Sequence, residues 1–89
     1  MVKISEKFTI GNELGFHARP AALFVKTANS FRSEILVKKG AEEVDGKSII
    51  NLLTLAAAKG DKIIVTAKGE DAAEAIKNLR KILIAMFRK

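Results

Sequence analysis

The chain has no cysteine, tryptophan or tyrosine, and its 89 residues include one proline and one histidine. Each shortage closes a class of chemistry. Without cysteine there is no disulfide framework and no thiolate ligand, which fits a reducing compartment. A lone imidazole with no thiolate cannot supply the ligand set that zinc takes, so neither a metal site nor a cofactor is expected. A serine hydrolase would need that same imidazole as its base together with a G-x-S-x-G turn, and the turn is absent. The aromatics are five phenylalanines, most at core-like spacing, which is a poor stacking surface for single-stranded nucleic acid. Long apolar runs are missing too. In the opening "MVKISEKFTI", Lys3, Glu6 and Lys7 interrupt the hydrophobic positions, so neither a secretory leader nor a membrane span is expected, and the cytoplasm is the expected location.

Acidic residues are also in deficit, with 10 Asp plus Glu against 16 Lys plus Arg and a formal charge of +6. That excess favours encounter with acidic partners. The bases are scattered and form no tract, so no nucleic-acid partner is expected. The length suits a single domain over residues 1–89 with one core.

What is present is clear periodicity. Residues 2–10 alternate, with Val2, Ile4, Phe8 and Ile10 on one strand face and Glu6 as the exception. "ARPAALFVKTANSF" puts Ala21, Phe24, Ala28 and Phe31 on one helical stripe starting at His17 or Ala18, where Pro20 suits the first turn. "SEILVKK" reads as a strand, and "GAEEVDG" as a hairpin with a short strand around Glu43 and Val44. "KSIINLLTLAAAKGD" predicts a helix capped by Ser48 and closed by Gly60 as its C′ residue. "DKIIVTAKG" gives a strand with Ile63, Val65 and Ala67 facing inward. The last segment places Ala72, Ile76, Leu79, Leu83 and Met86 at helical spacing, with acids at its start and bases at its end. The expected fold is α+β in the order βαββαβα: a two-layer open-faced sandwich whose four-stranded antiparallel sheet is covered on one face by three helices.

The histidine lies in "GFHARPAALF", at the start of the first helix. A group that accepts a phosphoryl and later passes it on must be neutral and nucleophilic near neutral pH, and its adduct must remain a good leaving group. Imidazole meets both needs. The incoming negative charge is best received where backbone donors already point, here the N–H groups of Ala18 and Arg19 at the positive end of a helix. Arg19 adds a planar charged fork that matches phosphate oxygens. Pro20 fixes the first turn, and Gly15 permits a sharp approach. The plain alternative is a turn histidine beside a solvated arginine, and generic chemistry leaves both readings open.

"GFHARPAALFV" resembles the active-site segment of the histidine-containing phosphocarrier (HPr) family of the bacterial sugar phosphotransferase system. "GKSIINLLTLAA" is similar to that family's second signature, around a regulatory serine. The resemblance implies a carrier with no turnover of its own. His17 would take the phosphoryl group on Nδ1 from enzyme I and pass it to enzyme IIA domains, with Arg19 stabilising it. It further implies Ser48 as a regulatory phosphorylation site, with HPr kinase/phosphorylase and a transcriptional co-regulator as further candidate partners. Phe16, Ala22 and Lys26 on the first helix, with Ile49 and Leu53 on the second, are the expected docking surface; simple packing is the alternative for each. The carrier is expected to be a monomer. Leu14 departs from the polar residue that relatives often carry near the site.

Two readings of other classes stand beside this one. A basic binding module for RNA or an acidic protein would use the charge and not the histidine. A regulatory paralogue would act through Ser48, but the presence of His17 argues against it.

Overall fold

The computed structural model describes residues 2–87. The elements are β1 (Lys3–Thr9), α1 (Ala18–Ala28), β2 (Glu34–Lys39), β3 (Glu42–Asp45), α2 (Ile49–Thr54), β4 (Lys62–Lys68) and α3 (Ala72–Phe87). All strand pairs are antiparallel, in the order β1-β4-β2-β3. The expected two-layer α+β sandwich is therefore what forms.

The alternation in the strands explains the layering, because successive side chains point to opposite faces. Ile63, Val65 and Ala67 of β4, with Ile35 and Val37 of β2, are buried under the helices. From above, Ala21, Phe24 and Ala28 of α1 and Ala72, Ala75, Ile76, Leu79 and Leu83 of α3 close the same core. The small alanines let α1 pack against α3, which itself lies over β1 and β4. Glu6, the odd residue on the inner face of β1, reaches the rim of this layer. There its carboxylate takes the Arg80 guanidinium of α3, with Nε at 2.8 and 3.0 Å from the two oxygens.

Two expectations need correction. The second helix does not run to Gly60. It stops at Thr54, Leu55 caps it, and Ala56 turns into the left-handed region at φ 50°. The Lys39 ammonium then donates to the Leu55 and Ala56 carbonyls, each at 3.2 Å. Phe31 lies beyond the end of α1 and packs half-buried against the core from the following loop. Glu74 supplies the expected acid in the first turn of α3, and the bases expected at its end, Arg88 and Lys89, lie outside the described residues.

Candidate functional site

α1 begins at Ala18, with His17 as its N-cap in extended backbone conformation (φ −89°, ψ −171°). The imidazole makes no capping bond. The first helical bond runs from the Ala21 N–H to the His17 carbonyl at 3.0 Å, so the amides of Ala18 and Arg19 precede the ladder and Pro20 has none to place. His17 is half-buried, Arg19 and Ala18 are exposed, and Pro20 is buried. The chain thus presents an imidazole, two backbone donors and a guanidinium at one helix end.

The approach to this corner is held from below. Gly15 has φ +66°, and a Cβ there would sit 2.4 Å from the Ala57 carbonyl oxygen, so only glycine fits. The next amide, Phe16 N–H, donates to that Ala57 carbonyl at 3.0 Å. The Phe16 ring goes inward, 4% exposed, and meets Phe24 and Phe87 edge-on at centroid distances of 5.7 and 5.6 Å. Phe16 is accordingly removed from the expected docking surface: its aromatic partners on α1 and α3 offer more apolar burial than solvent contact would. Its work is to anchor the residue before His17.

A cavity of about 190 Å³ opens beside the ring, lined by Asn12, His17, Arg19, Pro20 and Met86. Leu14, by contrast, is 74% exposed and points away from the interior. Sequence reasoning did not single out Asn12. Its side-chain amide donates to the Gly15 carbonyl at 2.9 Å, while the Gly15 N–H returns to the Asn12 carbonyl at 3.2 Å. An asparagine three residues ahead of a glycine is a turn signal, and no periodicity of the neighbouring residues places it beside the imidazole.

Ser48 caps α2 as expected, its hydroxyl accepting the Asn51 N–H at 3.3 Å, and it is half-buried. The neighbouring Lys47 ammonium is committed elsewhere, to the Phe31 carbonyl at 2.7 Å. α1 and α2 lie against each other. Their outer faces carry Ala22 and Lys26 on one and Ile49 and Leu53 on the other, all exposed as expected. Two large apolar residues were missed: Ile50, at 74%, is more exposed than Ile49 at 39% or Leu53 at 40%, and Leu23 of α1 is 42% exposed. With six residues and Leu52 alone buried, α2 leaves the rest of its apolar side chains outside.

Among the described residues no helix is long and apolar enough to cross a membrane. Residues 4–85 match the family model described as "PTS HPr component phosphorylation site". The chain is 42% identical over 84 residues to the phosphocarrier protein HPr of Neisseria meningitidis, covering 94% of both chains. It is 40% identical over 76 residues to the HPr-like protein Crh of Bacillus subtilis, covering 85% of this chain and 89% of that protein. The solved structure of a Mycoplasma histidine-containing phosphocarrier protein superposes with a TM-score of 0.92 at 31% identity, over 97% of this chain and all of the other. The chain belongs to the HPr family, whose members carry phosphoryl groups in the phosphotransferase system and are not enzymes.

Proposed function

We propose that His17 is the residue that carries the phosphoryl group, accepting it on Nδ1 from enzyme I and giving it to enzyme IIA domains in the cytoplasm. The observation that carries this reading is the uncapped start of α1, where the imidazole is half-buried, unbonded to the helix, and flanked by the Ala18 and Arg19 amides and the Arg19 guanidinium. The Nδ1 lone pair attacks phosphorus, the N–P bond forms, and the bond to the donor breaks with its electron pair returning to the donor. The backbone donors and Arg19 hold the phosphoryl oxygens, which lowers the charge cost of the adduct without trapping it covalently. The net charge of +6 favours acidic partner faces. The apolar residues Ile49, Ile50 and Leu53, with Ala22, Leu23 and Lys26 beside them, form the contact surface.

Ser48 is the second, regulatory position, modified by HPr kinase/phosphorylase. A phosphate there would stand at the start of α2 next to Ile49 and would place charge on the apolar contact surface. The carrier acts as a monomer, as a small shuttle that must present one face to successive partners does.

Incubation with labelled phosphoenolpyruvate and enzyme I is expected to place one acid-labile phosphate on His17. A His17→Ala protein that labels as well as the wild type overturns the assignment.

A further inference from the structure

The Oδ1 atom of Asn12 is buried and has no hydrogen-bond partner, and it is the one such side-chain atom among the described residues. An unpaired buried acceptor is costly and calls for an explanation. The orientation of this amide is fixed by chemistry: its nitrogen faces the Gly15 carbonyl at 2.9 Å, and turning the amide over would set oxygen against oxygen. The acceptor therefore lies on the other side, and Asn12 is a wall of the cavity shared with His17, Arg19, Pro20 and Met86. Proline and methionine carry no side-chain donor. The donors are the His17 ring and the Arg19 guanidinium, and Arg19 is exposed, with water available to its N–H groups, whereas His17 is half-buried.

We propose that Asn12 is a positioning residue for His17: the two are unbonded in the structure, and rotation of the ring within the cavity they share brings its Nε2 N–H to the vacant Oδ1 acceptor. The inference rests on His17 being the acceptor on Nδ1. A neutral imidazole has one protonated and one bare nitrogen, so fixing the proton on Nε2 leaves the lone pair on Nδ1, the atom that attacks. The same contact sets the ring's rotation, with Nδ1 toward the amides of Ala18 and Arg19. When the N–P bond forms, the Nε2 proton stays on the ring, and the Asn12 carbonyl dipole faces the positive charge that develops there. Asn12 can hold this place because the Asn12–Gly15 turn is closed twice, by backbone and by side chain. With Leu14 turned outward, the polar contact to the ring comes from two residues earlier in the loop.

The test is nitrogen-15 NMR of the His17 ring in the wild type and in Asn12→Ala, together with the rate of phosphoryl acceptance from enzyme I. The wild type is expected to show one tautomer, protonated on Nε2, with that proton shielded from solvent exchange. Asn12→Ala is expected to mix the two tautomers, expose the proton, and slow acceptance by about tenfold, the worth of one hydrogen bond in a partly buried site, with the label still on His17. Unchanged tautomer populations and rate in the variant overturn the proposal. So does a freely exchanging ring proton in the wild type, a measurement that needs no variant and stands even if Asn12→Ala fails to fold. Wild-type protein with no label on His17 refutes the acceptor assignment instead, so the two failures are distinguishable.

Discussion

Two helices in this small protein begin in opposite ways. α2 starts with Ser48, whose hydroxyl is spent on its own helix, accepting the Asn51 amide. α1 starts with His17, whose ring caps nothing and leaves the first amides unspent. The residue before α3 is spent differently again: the Asp71 carboxylate accepts the amides of Arg32 and Ser33, each at 2.9 Å, and the Ser33 hydroxyl, which ties the start of that helix to the loop before β2. The open end is the one proposed for the phosphoryl group; the closed start of α2 and the Asp71 tie hold the fold. A helix start can stabilise its own helix or receive an anion, and the same amides cannot do both at once.

The comparison can be pressed hardest at Phe16, which supports the open end. Phe16→Ala removes a ring packed between two others; a loss of about 3–5 kcal/mol is expected in chemical denaturation. Next comes Arg19→Ala. Removing a charge-assisted contact worth roughly 1.5–3 kcal/mol should slow phosphoryl acceptance by about 10- to 100-fold, with the denaturation midpoint unmoved because the side chain is exposed. Smaller and opposite effects are expected at the two caps. Ser48→Ala should cost about 1 kcal/mol of stability and leave transfer intact, whereas His17→Ser should gain up to about 1 kcal/mol and abolish labelling. Equal stability changes of the same sign at both positions would erase the distinction between open and closed starts.

The smallest effect is one of pH. The Ser33 hydroxyl first, then the Arg32 amide, hold the Asp71 carboxyl below its ordinary value of 3.8. A folded-state value below the unfolded one contributes stability that is complete above the unfolded value and is lost as the pH falls through the folded one. Stability of the wild type should therefore decline with acid below about pH 4 more steeply than that of Asp71→Asn. Parallel acid limbs would show that the α3 start is not tied down by this carboxylate.

Much of this was legible in the sequence because it is local. Strand alternation gave Ile63, Val65 and Ala67 their faces, helical spacing gave the α3 stripe, and a histidine before Ala-Arg-Pro marked the start of α1. What escaped depends on contacts between distant segments. "LAAAKG" has the composition of a helix, yet Ala57 is drawn into the core and its carbonyl is taken by Phe16, so α2 ends early; tertiary contact outweighs propensity. Phe16 looked like a surface residue because its partner Phe87 lies 71 positions away and only the fold brings the rings together. Asn12 could be read as a turn former from its neighbours. Its place beside the imidazole follows from how residues 11–16 lie against residues 57 and 58, which no local pattern encodes.

The pairing of β1 with β4, from Lys3 opposite Lys68 to Thr9 opposite Lys62, has a consequence for biosynthesis. β1 has no neighbour in the sheet until residues 62–68 have left the ribosome, and ring closure over that separation makes for slow, non-local folding. Nascent chains should thus acquire the ability to accept phosphate late and all at once, since the loop bearing the histidine and the turn that braces it are joined by the same closure.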